Sequence, residues 1–170
     1  SEGEPQLREL VAAEARALGV ACDASQVLVV SGSQQTLDLA AKLYIDQGTQ
    51  ILLEGPTYLA ALQIFQLFGA DCLTVELEAD GPDLTALRSR LERHRPAFIY
   101  LIPTFQNPGG VTLSLERRQQ LVAIARRHEI LIVEDNPYGL LRYEGEALPT
   151  LYALDGGAYV VYLGTFSKIL

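Results

Sequence analysis

Several polar side chains with distinct chemistry occur in the second half of the chain, each shortly after an apolar run. They are an amide, a carboxylate, a phenol and an amine: Asn107, Asp135, Tyr138 and Lys168. The amide and the phenol can donate hydrogen bonds, the carboxylate can hold a cation, and the amine can attack a carbonyl carbon. Together they are the groups needed to hold a pyridine-ring cofactor and to react through it.

The segments that contain these residues resemble the large domain of fold-type I pyridoxal-phosphate enzymes, the class I/II or aspartate aminotransferase superfamily. The segments are Asn107-Pro108-Gly109-Gly110, Glu134-Asp135-Asn136-Pro137-Tyr138 and Gly164-Thr165-Phe166-Ser167-Lys168. They are most similar to the branch that contains 2-aminoadipate aminotransferases and the aminotransferase-like domains of GntR/MocR regulators. The resemblance runs from about Gly3 to the last residue. It implies pyridoxal 5'-phosphate as the cofactor, with an amino acid and a 2-oxo acid as substrates.

The resemblance implies a role for each of the first set of residues. Lys168 would hold the cofactor aldehyde as a Schiff base and shuttle a proton to and from the substrate α-carbon. Asp135 would face the pyridine nitrogen and favour the protonated ring, because an opposite charge nearby favours the charged form. Asn107 and Tyr138 would donate hydrogen bonds to the phenolic oxygen. Glu134 precedes Asp135 by one residue, so we expect it to point elsewhere.

Each of these residues also has an ordinary structural interpretation. Asp135 could cap a turn, and Asn107 is a typical turn residue before a proline. Tyr138 could be a half-buried aromatic side chain, and a lysine near a chain end is usually solvated. The order of the segments favours the functional interpretation over these alternatives.

A second set of residues could bind the phosphate and the ring face. Ser33 and Gln34 lie where a predicted strand turns into a helix, and backbone N–H groups at such a point suit an anion. Thr165 and Ser167 would add hydroxyl donors, and Tyr58 would stack on the ring. A Gly-Ser turn without a phosphate and a core tyrosine are the alternatives. The sequence contains no G-x-G-x-x-G and no Walker motif, which disfavours dinucleotide and nucleoside triphosphate binding.

Composition narrows the class of protein. The chain has 170 residues, of which 49% are hydrophobic, which fits one globular domain. A net charge of -8 argues against nucleic-acid binding by this domain. Cys22 and Cys72 are far apart and have no neighbouring histidine in sequence, so no metal site is predicted. No apolar run approaches the length of a membrane span, and the acidic N-terminus is unlike a signal peptide. We therefore expect the protein to be in the cytoplasm.

The apolar runs alternate between strand and helix patterns. Strands are predicted at 27–30, 50–53, 72–77, 97–102, 130–134 and 159–163, and helices at 7–18, 37–44, 57–68, 83–91 and 115–128. Continuous apolar strands indicate burial on both faces, as in a mostly parallel sheet. The pattern predicts an α/β protein with three α/β/α layers, and the resemblance implies about seven strands. Every candidate residue follows a strand, at the edge where such folds bind ligands.

Parts of the resembling enzymes have no counterpart in this chain. An arginine after the lysine, a second arginine in a C-terminal small domain and an N-terminal segment are absent. We therefore expect residues 1–170 to be a single, truncated cofactor-binding large domain that is inactive alone and forms a homodimer in the full-length protein. Three functions stay open: a transaminase, a cofactor-sensing domain of a GntR/MocR-type regulator, and a carbon–sulfur lyase of the same fold.

Overall fold

The computed structural model describes residues 2–168. The helices are α1 (Pro5–Ala17), α2 (Ser33–Tyr44), α3 (Leu59–Leu67), α4 (Leu84–Arg93), α5 (Leu115–His128) and α6 (Leu151–Asp155), with a 3-10 turn at Ala24–Gln26. The strands are β1 (Gln50–Gly55), β2 (Asp71–Glu78), β3 (Gly81–Pro82), β4 (Phe98–Leu101), β5 (Leu131–Asp135) and β6 (Val160–Leu163). None of the helices among the described residues combines the length and the apolarity that crossing a membrane requires.

Within residues 2–168 the strands form one sheet in the order β3-β2-β1-β4-β5-β6. All neighbouring pairs are parallel except β2 and the short β3. The chain adds strands outward from β1 in one direction and then from β4 in the other. The carboxyl ends of β1 and β4 therefore flank the point where the connections diverge, which is where open α/β sheets bind ligands.

Helices cover both faces of the sheet. Alternate residues of β1 show this, because Leu52 packs with residues of α4, α5 and α6, whereas Ile51 and Leu53 pack with residues of α2 and α3. All three side chains are fully buried. Burial on both faces explains why the strands are continuous apolar runs. The predicted three-layer α/β/α architecture is confirmed.

Helix ends agree with the capping residues in the sequence. The Asp83 carboxylate accepts hydrogen bonds from the N–H groups of Thr85 and Ala86, and Ser114 Oγ accepts from the Arg117 N–H. These bonds satisfy first-turn N–H groups that the helix itself cannot. The caps fix where α4 and α5 begin.

Two expectations about strands need correction. Residues 27–30 are not a strand, because the Val29 N–H donates to the Glu2 carbonyl outside the sheet and Leu28 is 52% exposed. A β-branched run favours extended backbone, but it becomes a strand only when a partner edge is available. The sheet of the described residues accordingly has six strands, not about seven. The short strand β3 and the helix α6 were not predicted.

Candidate active site

A cavity of about 250 Å³ lies at the carboxyl edge of the sheet. Its walls come from the N-terminus of α2 and from the segments that follow β1, β4, β5 and β6. It is lined by Ser31, Gly32, Ser33, Gln34, Tyr58, Ile102, Asn107, Asp135, Pro137, Tyr138, Thr165, Ser167 and Lys168. Every site residue predicted from the sequence is in this set. The structure thus brings the predicted residues together, while their individual roles stay predictions.

Asp135 ends β5 and presents a carboxylate that is only partly satisfied. Its side chain is buried, with 3% of the residue exposed, and Oδ2 accepts a hydrogen bond of 2.7 Å from the Tyr100 hydroxyl. Oδ1 is also buried and has no hydrogen-bond partner among residues 2–168. Burial raises the pKa of Asp135 to about 6, and the Tyr100 hydrogen bond opposes this rise. A buried carboxylate oxygen without a donor is costly, so this atom is suited to a cationic or N–H group in the cavity.

Glu134 lies on the other face of the sheet from Asp135, as the alternation of a strand requires. Its two oxygens accept hydrogen bonds of 2.9 Å from the N–H groups of Leu151 and Tyr152 at the start of α6. Burial raises the pKa of Glu134 to about 7, and these two hydrogen bonds oppose the rise. Glu134 therefore stabilises a helix end and takes no part in the cavity.

Asn107 and Tyr138 are neighbours although 31 residues separate them in sequence. Asn107 Nδ2 donates to the Tyr138 hydroxyl oxygen across 3.4 Å, and both residues are half-buried. The long distance marks a weak hydrogen bond. Two donors so placed can both reach one acceptor atom that enters the cavity.

The N-terminus of α2 faces the same cavity. Gly32 precedes the helix with φ of 84°, and a Cβ placed on Gly32 would meet no atom within 4 Å. Within the described part of the chain, no side chain caps this helix end. The N–H groups of Ser33 and Gln34 are therefore available to an anion, whereas the Gln35 N–H donates to the Gly32 carbonyl. The helix dipole favours negative charge there.

Thr165 and Ser167 form a local turn that also lines the cavity. The Thr165 hydroxyl donates to Ser167 Oγ at 3.0 Å, and the Ser167 N–H donates to Thr165 Oγ1 at 3.2 Å. Lys168 follows directly and is exposed. Tyr58 also lines the cavity and is half-buried immediately before α3. The segment after β6 therefore contributes hydroxyl groups and an amine to the lining, and the segment after β1 contributes an aromatic ring.

Sequence reasoning missed Tyr100 and Gly32. Tyr100 is fully buried in β4 and is the partner of Asp135. The available signal was a phenol in the otherwise apolar run 97–102, since a buried tyrosine hydroxyl needs a partner.

In the part of the chain that the structure describes, no group of three or more His, Cys, Asp or Glu residues could hold a metal ion.

Comparison with known proteins agrees with this geometry. Over residues 1–170 the chain matches the family described as aminotransferase class I and II. It is 45% identical to a 2-aminoadipate transaminase of Thermus thermophilus over 174 aligned positions, which cover 100% of this chain and 42% of that protein. It is 35% identical to a probable rhizopine catabolism regulatory protein, MocR, of Rhizobium meliloti, covering 99% of this chain and 34% of the regulator.

A solved structure shares the fold. The α-aminoadipate aminotransferase of Thermus thermophilus, complexed with N-(5'-phosphopyridoxyl)-L-leucine, superposes with a TM-score of 0.94 at 42% identity. The match covers 100% of this chain and 43% of that one. This chain thus spans less than half the length of these relatives, and it belongs to the class I and II aminotransferase family.

Proposed function

We propose that this chain is the large domain of a pyridoxal-phosphate-dependent aminotransferase, which transfers an amino group between an amino acid and a 2-oxo acid. The observation that carries the proposal is the Asp135 Oδ1 atom, buried at the cavity and without a donor among the described residues. A pyridinium N–H is the kind of group that such an oxygen accepts. When bound, pyridoxal phosphate supplies an electron sink for negative charge at the substrate α-carbon.

The residues that line the cavity fit the parts of this cofactor. Asp135 would accept the ring N–H and keep the ring protonated, while Tyr58 would pack against the ring face. Asn107 and Tyr138 would donate to the phenolic oxygen, and their 3.4 Å separation supports a shared acceptor. The N–H groups at the start of α2, with Ser33 and Gln34, would hold the phosphate.

The remaining lining residues complete the proposed assignment. Thr165 and Ser167 would add hydroxyl donors to the phosphate. Lys168 would hold the cofactor covalently and move a proton between its Nζ atom and the substrate α-carbon. Both tasks need an amine with access to the cavity, and the exposed position of Lys168 in the lining is consistent with this.

The proposal includes the rest of the protein. The relatives are more than twice as long as this chain, which supports a longer protein with a C-terminal small domain that binds the substrate carboxylate. Residues 1–170 alone would lack this domain and would be inactive, because orientation of the substrate contributes much of the rate. We also propose a homodimer in the cytoplasm. Free thiols at Cys22 and Cys72 suit a reducing compartment.

A second candidate function is a cofactor-sensing domain of a MocR-type regulator. The 35% identity to the Rhizobium meliloti regulator supports this alternative. Both candidates need the same cofactor residues, so amino-group transfer separates them. A full-length protein that binds the cofactor and transfers no amino group, but binds DNA through a separate domain, would favour the regulator.

Covalent labelling tests the proposed cofactor site directly. The chain contains two lysines, Lys42 and Lys168. Borohydride reduction of the full-length protein with pyridoxal phosphate, followed by peptide mass mapping, should give an adduct on Lys168. Lys42 is an internal control, since it forms an ion pair with Asp38 on the exposed side of α2. An adduct on Lys42 with Lys168 unmodified would refute the assignment.

A further inference from the structure

Two buried polar residues behind the cavity connect the ends of β1 and β4. Glu54 is 0% exposed near the end of β1, and Gln106 is 1% exposed in the segment after β4. Gln106 Nε2 donates to Glu54 Oε2 at 3.2 Å and to the Pro56 carbonyl at 2.8 Å. Burying a polar side chain costs free energy unless hydrogen bonds replace those made with water. The hydrogen bonds of Glu54 and Gln106 therefore show what these two buried residues hold in place.

Gln106 organises the turn that begins with Asn107. Its Oε1 atom accepts a hydrogen bond of 2.6 Å from the Gly109 N–H. Its backbone carbonyl accepts one from the Gly110 N–H, and its own N–H donates to the Val111 carbonyl at 2.8 Å. Gln106 thus binds the turn through both its side chain and its backbone. Asn107, the next residue, projects from this turn into the cavity lining.

The turn leaves little freedom around Gln106. A Cβ on Gly109 would lie 2.8 Å from Gln106 Oε1 and 2.7 Å from Leu77 Cδ2, so a larger residue does not fit there. Phe105, just before Gln106, has φ of 51°, which is unusual for a bulky residue. Such a conformation persists only when its surroundings hold it. The contacts of Gln106 therefore fix a segment that is not locally favoured.

Glu54 in turn holds Gln106. Its Oε2 atom accepts hydrogen bonds of 3.2 Å from both the Ile102 N–H and Gln106 Nε2, which ties β1 to the end of β4. Its Oε1 atom has no partner anywhere in the described chain. Glu54 does not line the cavity, so it acts on the protein through the Ile102 N–H and Gln106.

We propose that Glu54 and Gln106 are positioning residues that act through Asn107, by fixing the turn from which its amide reaches the phenolic oxygen of the cofactor. The inference rests on the proposed function, because the amide has this task only if pyridoxal phosphate occupies the cavity. Neither residue touches the cofactor. Their effect on cofactor binding should therefore disappear when the Asn107 amide is absent.

A double-mutant cycle on the full-length protein tests this coupling. Equilibrium affinity for pyridoxal phosphate is measured for wild type, Gln106→Ala, Asn107→Ala and the double variant. Each single change should weaken binding roughly five- to tenfold, the size of one well-placed hydrogen bond. The double variant should be no weaker than Asn107→Ala alone. Additive losses would overturn the inference, since residues that act independently add.

The same cycle separates the inference from the proposed function. If Asn107→Ala binds the cofactor as tightly as wild type, the assignment of Asn107 fails and the inference fails with it. If Asn107→Ala weakens binding but Gln106→Ala does not, only the inference fails. The pH titration of the visible absorbance of the bound cofactor gives a second signal. It should move to higher pH in both single variants, because a lost donor destabilises the negatively charged phenolic oxygen.

A conservative change at Glu54 keeps the test valid if Gln106→Ala does not fold. In Glu54→Gln the amide oxygen can still accept from the Ile102 N–H and from Gln106 Nε2, so the affinity for pyridoxal phosphate should stay close to that of wild type. Glu54→Leu removes this acceptor and should weaken cofactor binding only while the Asn107 amide is present. Unchanged affinity in Glu54→Leu would contradict the proposed role of the contact between Glu54 and Gln106.

Hydrogen exchange provides a measurement that does not depend on the cofactor. In the cofactor-free protein, the Gly109 amide should exchange faster in Gln106→Ala than in wild type, because its acceptor is gone. Glu134→Ala is the matched control, since Glu134 is another buried carboxyl group with no contact to this turn. It should leave the affinity for pyridoxal phosphate unchanged and should raise exchange at Gly109 by no more than its loss of global stability accounts for. Equal exchange at Gly109 in wild type and Gln106→Ala would overturn the inference.

Discussion

The two faces of the sheet at the end of β5 use neighbouring carboxylates for different purposes. Glu134 and Asp135 are 1% and 3% exposed, and burial raises the pKa of both, to about 7 and about 6. Glu134 has a donor for each oxygen, whereas Asp135 has a donor for Oδ2 only within residues 2–168. Burial and a raised pKa are therefore common to both carboxyl groups. The feature that supports the proposed role of Asp135 is its acceptor atom without a donor at the cavity.

The alternation of the strand produces this division. Val133 packs with α2 and α3, and Ile132 packs on the face that carries α6. Glu134 is two residues after Ile132, so its side chain lies on the same face and accepts hydrogen bonds from the start of α6. Asp135 lies on the same face as Val133 and accepts a hydrogen bond from Tyr100. A one-residue shift of register would exchange the two roles. The sequence order of the two acids is thus as important as their presence.

The largest expected effect is on the cavity face. Asp135→Asn in the full-length protein should reduce transamination roughly 100- to 1000-fold, the loss typical of removing one preorganised electrostatic group. A neutral amide cannot favour the protonated ring as a carboxylate does. The fold should be retained, because the side chains have nearly the same shape. Steady-state kinetics measures the loss, and Glu134→Gln is the matched control on the opposite face.

Full turnover in Asp135→Asn, with the cofactor bound, would show that Asp135 is also structural. The contrast between the two faces would then fail. A comparable activity loss in Glu134→Gln would also contradict this contrast, because the Glu134 side chain does not line the cavity.

On the helix face we expect a loss of stability instead. Glu134→Ala removes the acceptors of the Leu151 and Tyr152 N–H groups, and each buried N–H group left without an acceptor costs about 1 to 3 kcal/mol. Urea denaturation at neutral pH should show the loss. The affinity of the remaining folded protein for pyridoxal phosphate should match that of wild type. Weakened cofactor binding of similar size to the stability loss would mean that α6 supports the cavity.

The placement of several cavity residues is predictable, because the sequence shows which residues follow an apolar strand. Asp135 and Asn107 each follow an apolar run, and all such runs end at the same edge of the sheet. Helices α4 and α5 were predictable from their caps, Asp83 and Ser114. These features depend on neighbouring residues, which a single sequence displays.

Contacts between distant residues were not predictable. Tyr100 is 35 residues from Asp135 and Gln106 is 52 residues from Glu54, so no local pattern pairs them. Helix α6 has only five residues, too few to show a helical period, and forms against Glu134. The predicted strand at 27–30 was wrong for the same reason, because a β-branched run becomes a strand only where another strand is available to pair with it, and a local pattern does not show this.

The smallest predicted effect concerns Tyr100, the single donor that the structure shows for Asp135. Tyr100→Phe keeps the ring in the core and removes the hydrogen bond to Oδ2. That hydrogen bond lowers the pKa of Asp135 against the effect of burial, so its loss should raise the pKa above the present value of about 6. A hydrogen bond to a charged group contributes about 1.5 to 3 kcal/mol, which sets an upper limit for the loss of stability.

The sign of the pH dependence makes Tyr100→Phe diagnostic. Asp135 has a folded-state pKa raised from 3.8 to about 6, so its contribution to stability is present below pH 3.8 and is lost as pH rises through about 6. In Tyr100→Phe the stability should continue to fall to higher pH, because the pKa of Asp135 in the folded protein is higher than in wild type. Urea denaturation of the cofactor-free, full-length protein should therefore show about 1 kcal/mol more destabilisation at pH 7 than at pH 4. An equal loss at both pH values would indicate a packing defect, and Asp135 would then not depend on Tyr100.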